Sequence, residues 1–140
     1  MSTSLENAGW YLEPDDGFIG HVGGLWRRNV AGVGQVAFIA QEIHANRNGV
    51  VHGGMLMTFV DRALGQAARL VAGAERGATI SLNHQFLAPV KIGDIVEITP
   101  QIGKVTQHMV FVPRTATVRD APVISTQDVA AVDGLVVIAG

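Results

Sequence analysis

A single long helix most constrains how this chain can fold. Over residues 53–71, apolar residues recur at the three- and four-residue spacing of an amphipathic helix, and Gly73 then provides a typical helix end. The rest of the 140 residues is mainly strand-like, with a possible short strand over 18–22 and longer ones over 33–41, 78–87, 94–102, 107–117 and 123–132. The short apolar tail over 135–139 is either a last strand or a subunit contact. No second helix is predicted that could cover the other face of a parallel sheet. This order favours an α+β architecture, an antiparallel sheet wrapped around one helix.

The composition fits one globular domain. Hydrophobic residues make up 48% of the sequence and charged residues only 16%, which is the opposite of the balance in a disordered chain. We expect residues 1–16 to be a flexible N-terminal segment and residues 17–140 to form a single domain. The low charge also suggests that a partner subunit covers some of the hydrophobic surface.

Several partners and cofactors are disfavoured. The formal net charge is −2, whereas a nucleic-acid-binding domain of this size is normally basic. Cysteine is absent, and His44, His52 and His84 lack a recognised metal-ligand spacing, so we expect no metal and no other cofactor. No apolar stretch reaches the roughly 20 residues of a membrane span, and the first residues lack signal-peptide features. We therefore expect a cytoplasmic protein that does not bind membranes.

The start of the long helix is the first candidate site. His52-Gly53-Gly54 opens the helix with no Ser, Thr, Asp or Asn at the usual capping position, so the first backbone N–H groups should lack partners. Glycine allows close approach to these groups, and the helix dipole adds positive potential. A carbonyl oxygen that gains negative charge would be stabilised there, as in an oxyanion hole. A simple tight turn before the helix is the alternative interpretation.

Asp61 is the second candidate. It lies at the border of a wide apolar arc rather than on a free solvent face, which suits a general base. A half-buried carboxylate paired with Arg62 or Arg69 is an equally good interpretation. Eight helical residues place Asp61 about 12 Å from Gly53 along the axis, too far to act on a carbonyl held at its own helix N-terminus. Either the two features are unrelated, or Asp61 works with Gly53 of a second subunit.

Two motifs in this chain occur at a familiar spacing. The first is Asn46-x-x-Gly49-x-x-His52-Gly53-Gly54, with Asp61 nine residues after the histidine and Thr79 a further eighteen residues on. The second consists of Thr79-Ile80-Ser81-Leu82-Asn83, Phe86-Leu87, Pro89 and Gly93-Asp94. Together they resemble the hotdog-fold acyl-CoA thioesterases, more narrowly the phenylacetate-degradation (PaaI-like) branch, over roughly residues 17–133.

This resemblance implies a hotdog fold, in which two chains pair into a dimer with a continuous sheet and dimers pair into a homotetramer. The active sites of that family lie between subunits. By the same resemblance, the Gly53 N–H polarises the thioester carbonyl of an acyl-CoA substrate, and Asn46 and His52 shape that side of the pocket. Asp61 of the partner subunit would be the general base or nucleophile, and Thr79 would orient it or the attacking water.

The substrate contacts are less constrained. Gly54 and Asn48 are candidate binding residues beside the oxyanion site, and the acyl group, aryl or medium-chain, would lie along the helix near Met57 and Leu64. Some relatives carry a basic residue where this chain has Ala88. In its absence, the basic residues available to bind the CoA phosphates include Arg76, Lys91 and Lys104.

Two other functions stay open beside the thioesterase. A hotdog hydratase or dehydratase usually pairs a histidine with an Asp or Glu in a different motif. A non-catalytic acyl-CoA sensor would need no base at Asp61. For the thioesterase itself, the sequence does not separate activation of water from direct attack by Asp61, which would form a mixed anhydride.

Overall fold

The computed structural model describes residues 2–73, 77–105, 110–132 and 135–138 of the chain. Within these ranges the α-helices are Ser2–Asn7 (α1), Phe18–His21 (α2) and Gly53–Ala72 (α3), and a short 3-10 helix spans Glu42–His44. The strands are Tyr11–Leu12 (β1), Trp26–Val30 (β2), Val33–Ile39 (β3), Ala78–Phe86 (β4), Ile95–Ile98 (β5), Lys104–Val105 (β6), Val110–Val118 (β7), Ala121–Val132 (β8) and Leu135–Ile138 (β9).

The strands form one antiparallel sheet that packs against α3. Their order is β1-β2-β3-β5-β7-β8-β4, with β6 beside β7 and β9 beside β8. In the core between helix and sheet, the rings of Phe38 and Phe59 pack edge to face with their centroids 4.9 Å apart. The structure therefore has the α+β hotdog architecture that the sequence predicts, one long helix against an antiparallel sheet.

The periodicity of α3 explains why this helix is largely buried. Its buried side chains follow the predicted helical spacing: Met55, Leu56, Phe59, Val60, Ala63, Leu64 and Ala68. Gly73 ends the helix in the left-handed conformation, with φ of 64°, which glycine adopts without strain. None of the described helices is both long and apolar enough to span a membrane.

Most predicted strands are observed, with shifted ends. Four strands lie close to the predicted ranges: β3, β4, β8 and β9. β5 is shorter than predicted, since it covers only four residues of the range 94–102. The strand predicted over 107–117 corresponds to β7, and residues 107–109 lie outside the described residues. The short strand predicted over 18–22 is instead the helix α2, and β2 had no counterpart in the prediction.

The N-terminal region is built into the fold. The sequence predicted a flexible segment over residues 1–16, whereas residues 2–7 form α1 and both Leu5 and Trp10 are buried. These two side chains cluster with Trp26 and Ala37 on the side of the sheet opposite to α3. The Arg28 guanidinium lies 4.5 Å from the centroid of the Trp10 ring, which adds a cation–π contact.

β4 lies at one end of the strand order. It pairs with β8 along one edge, and no described strand pairs with its other edge. Most of its residues are exposed, including the large apolar side chains of Ile80 and Phe86. The pairing contains a register shift, because Thr79 pairs with Ala130 whereas Ser81 pairs with the adjacent Val129, so β4 carries one extra residue there.

Candidate active site

The N-terminus of α3 is capped by a histidine. The Gly54 N–H donates to Nδ1 of the His52 ring at 2.9 Å, so His52 fills the capping position that the sequence predicted to be empty. That prediction was wrong for Gly54, because an imidazole nitrogen can accept the hydrogen bond that Ser or Asp usually accepts. The Gly53 N–H has no hydrogen-bond partner among residues that the structure describes. One backbone donor at the helix N-terminus is therefore unpaired within the described residues.

Phe86 of β4 lies against this helix start, although it was not among the site residues predicted from the sequence. A Cβ placed on Gly53 would lie 3.3 Å from two carbons of the Phe86 ring, closer than most real contacts. A side chain at position 53 would require the Phe86 ring to move by a few tenths of an ångström, so glycine suits the close approach of strand and helix. The signal available in the sequence was the place of Phe86 in the second motif.

Asn46 organises the loop before α3. Its side-chain Oδ1 accepts the backbone N–H groups of Asn48 at 2.8 Å and Val50 at 3.3 Å. The Asn46 N–H donates to the Val50 carbonyl at 2.8 Å, which closes the turn. Asn46, Asn48 and His52 line an open cleft of about 680 Å³. Three predicted site residues are therefore brought together at this loop.

Asp61 and Thr79 form a second group. The Thr79 hydroxyl donates to Oδ1 of Asp61 at 2.6 Å, and both residues line a cleft of about 210 Å³ between α3 and the start of β4. The alternative that Asp61 pairs with Arg62 is not observed, because Arg62 contacts Asp15 at 3.2 Å instead. Within the described ranges no salt bridge includes Asp61.

His84 lies on the same face of β4 as Phe86, two residues before it, and their ring centroids are 6.1 Å apart. Its Nδ1 lies 2.8 Å from the hydroxyl of Thr126, and its buried Nε2 has no hydrogen-bond partner in the described part of the chain. Burial lowers the pKa of His84, and the negative charge of Asp61 opposes that shift in part. In the described ranges, no three His, Asp or Glu side chains converge as metal ligands would.

The residues predicted to contact the substrate differ in how exposed their side chains are. Met57 is 40% exposed, whereas Leu64 is fully buried in the core between α3 and the sheet. Leu64 is therefore not in position to line an acyl pocket, which corrects that prediction. Of the three basic candidates, Lys91 is exposed and forms an isolated β-bridge with Val50 in the loop that carries Asn46. Arg76 lies outside the described residues.

Comparison with known proteins defines the family. A sequence profile of the thioesterase superfamily matches residues 48–120. The chain belongs to the thioesterase superfamily. Among curated proteins, mouse acyl-coenzyme A thioesterase 13 is 31% identical over 71 residues, which cover 51% of this chain and 51% of that protein. The chain spans about half the length of the curated relatives it matches, from 43 to 58%.

Solved structures show the same fold. Zebrafish thioesterase superfamily member 2 superposes with a TM-score of 0.73 at 24% identity, covering 84% of this chain and 87% of that one. A hypothetical thioesterase of Streptococcus pneumoniae with coenzyme A has a TM-score of 0.72 at 17% identity, covering 89% of this chain and 98% of that one. The narrower PaaI-like assignment stays a prediction.

In this thioesterase-superfamily chain, the predicted site residues fall into two separate groups. Asn46, Asn48 and His52 share the cleft at the start of α3, and Asp61 and Thr79 share the cleft two turns further along. None of the clefts described above contains members of both groups. Eight residues of continuous helix separate the two, about 12 Å along the axis.

Proposed function

We propose that the chain is an acyl-CoA thioesterase that hydrolyses an aryl- or medium-chain acyl-CoA to the free acid and CoA. The observation that carries the proposal is the 2.6 Å hydrogen bond from Thr79 to Asp61. A carboxylate that is oriented by a hydroxyl, and has no salt bridge within the described ranges, is suited to act as base or nucleophile. Membership of the thioesterase superfamily supports the reaction class.

The proposed site lies between two subunits. The Gly53 N–H and the Asp61 carboxylate are too far apart in one chain to act on one carbonyl, so each needs its counterpart from another chain. The edge of β4 that pairs with none of the described strands supports such an assembly, because long exposed edge strands pair readily with another strand. We propose a homodimer through β4 that places Gly53 of one subunit opposite Asp61 of the partner subunit, with two dimers forming a homotetramer.

The chemistry follows from these positions. The Gly53 N–H donates to the thioester oxygen as it gains negative charge, and the loop held by Asn46, together with His52, shapes that side of the pocket. Water attacks the carbonyl carbon while Asp61 of the partner subunit takes its proton, and Thr79 keeps that carboxylate in place. The C–S bond then breaks, and the proton on Asp61 passes to the departing CoA sulfur. Direct attack by Asp61 is the second route, with water cleaving the resulting anhydride.

A thiol-release assay on a panel of acyl-CoAs tests the proposal. The chain contains no cysteine, so a thiol-reactive dye detects only the released CoA. We expect Asp61→Asn to lower kcat/KM by about 100-fold or more, the usual contribution of a positioned base. Glu6→Gln is the matched control, because it makes the same change from carboxylate to amide at an exposed position of α1. Wild-type turnover by Asp61→Asn would refute both routes.

The competing function predicts a different result. An acyl-CoA sensor would bind the thioester without cleaving it and would tolerate Asp61→Ala. Absence of thiol release across a chemically broad panel, from a folded oligomer that binds acyl-CoA, would therefore replace the thioesterase with the sensor.

A further inference from the structure

The segment from Asp15 to Gly20 has a fixed conformation beside Asp61, although the chemistry proposed above makes no use of it. Oδ1 of Asp15 accepts the backbone N–H groups of Gly17 at 2.8 Å and Gly20 at 3.1 Å. A Cβ on Gly20 would lie 1.9 Å from the Asp15 carbonyl oxygen, so only glycine fits this turn. The turn is therefore set by the residues Asp15 and Gly20 themselves.

This turn is tied to the helix that carries Asp61. The other carboxylate oxygen of Asp15 lies 3.2 Å from Nη2 of Arg62, and Glu13 lies 3.8 Å from the same nitrogen. The backbone N–H groups of Gly20 and Gly17 lower the pKa of Asp15, which keeps its carboxylate charged for the pairing. Because Arg62 follows Asp61 directly on α3, the segment is fixed relative to the proposed catalytic carboxylate.

A cleft of about 410 Å³ lies between this segment and α3. Asp61 and Thr58 line it from the helix, and Phe18 and Ile19 line it from α2. Its volume is in the range of about 300–1,000 Å³ that is usual for small-molecule sites. Ile19 is buried and anchors α2 to the core, whereas the neighbouring Phe18 ring is 63% exposed. One side of the cleft is thus formed by a helix that Ile19 packs into the core, and the exposed Phe18 ring is available to contact a ligand.

The charges indicate which end of an acyl-CoA this cleft accommodates. Its charged groups are two carboxylates, Asp15 and Asp61, and one guanidinium, Arg62, which is already paired with Asp15. Such a surface repels the phosphates of CoA and tolerates an uncharged group. The acyl end of the substrate is therefore the occupant that the cleft favours.

Building on the proposed thioesterase function, we propose that Phe18 is a specificity-determining residue whose ring packs against the acyl group held beside Asp61. An aryl group gains both the burial of the exposed Phe18 ring and a ring–ring contact, whereas a two-carbon acyl group gains neither. The chain should accordingly prefer aryl-acyl thioesters to acetyl-CoA, and Phe18 should supply much of that preference.

The test compares kcat/KM for phenylacetyl-CoA and acetyl-CoA in the wild type, Phe18→Ala and Tyr11→Ala. Tyr11 is the matched control because it is similarly exposed, at 55%, but lies on β1 and does not line this cleft. We expect Phe18→Ala to reduce the phenylacetyl-to-acetyl ratio about tenfold while acetyl-CoA turnover is maintained. Tyr11→Ala should leave the ratio unchanged. An equal loss on both substrates, or no change in the ratio, would overturn the assignment.

A binding measurement separates this inference from the proposed function. In an Asp61→Asn background, titration calorimetry gives the affinities of phenylacetyl-CoA and of free CoA with Phe18 present or replaced by Ala. A loss confined to phenylacetyl-CoA supports the inference even if the wild type hydrolyses nothing, in which case only the thioesterase proposal fails. Unchanged affinity for phenylacetyl-CoA overturns it. Phe18→Leu serves as the second variant if the alanine variant does not fold, and it should retain burial while losing the ring–ring contact.

Discussion

Replacing Thr79 by Val tests how much the Thr79–Asp61 hydrogen bond contributes. Valine keeps the β-branched shape that suits β4 and removes only the hydroxyl that donates to Asp61 at 2.6 Å. A hydrogen bond to a charged group is worth about 1.5–3 kcal/mol when buried. Thr79 is exposed and Asp61 half-buried, so water competes and we take about 1–2 kcal/mol, which corresponds to about a 5- to 30-fold loss of kcat/KM.

The assay is steady-state thiol release with the best substrate of the acyl-CoA panel. We expect the loss to fall mainly on kcat, because the hydroxyl orients the reacting carboxylate and does not bind the acyl group. Thr79→Ser keeps the donor and should stay within about twofold of the wild type, and the melting temperature of both variants should change little because the position is exposed. Full activity of Thr79→Val, or an equal loss in Thr79→Ser, would refute the positioning role.

Two further predictions concern stability. Burial lowers the pKa of His84 from its ordinary value of 6.5, so the neutral ring is favoured in the folded chain. The stability that the neutral ring contributes is therefore complete above pH 6.5 and is lost as the pH falls below 6.5. His84→Gln should therefore flatten the decline in urea midpoint between pH 7.5 and pH 5.5, and an unchanged decline would contradict this. Gly20→Ala should cost about 1–3 kcal/mol in urea unfolding, because the new Cβ meets the Asp15 carbonyl. Gly65→Ala, in open space on α3, should instead stabilise by about 0.5–1 kcal/mol, and equal effects of the two alanines would exclude the steric explanation.

The sequence predicted the long helix and most of the sheet because their hydrophobic periods are long enough to be unambiguous. It placed the ends of α3 within one residue, since the glycines at both ends have distinct backbone roles. The interval between Gly53 and Asp61 likewise followed from the helical rise alone. These features depend on local chemistry, which a single sequence contains.

The predictions from the sequence fail where a contact between residues distant in the chain determines the local structure. The segment 18–22 is too short for its hydrophobic periodicity to distinguish a helix from a strand. The Asp15 side chain, which accepts the N–H groups of Gly17 and Gly20, forms the turn from which α2 begins. The capping role of His52 depends on a ring orientation that residue type does not reveal. Leu64 was assigned to the pocket because the apolar arc of α3 is wide, and only the sheet determines which part of that arc is core.

The extra residue in β4 has a consequence for how insertions and deletions act near the site. In a regular strand, residues an odd number of positions apart face opposite sides, so Thr79 and His84 would point away from each other. The shift between Thr79 and Ser81 restores a common side, and it lets Thr79 reach Asp61 while Phe86 still reaches Gly53. Loss of Ile80 would remove the extra residue and preserve this shared side. Loss of one residue between Ser81 and His84, with the shift at Ile80 retained, would turn the two ends of the strand to opposite sides of the sheet. The number of residues between Ser81 and His84 must therefore stay the same for the two ends of the strand to share a side. One residue fewer at Ile80 is compatible with that arrangement.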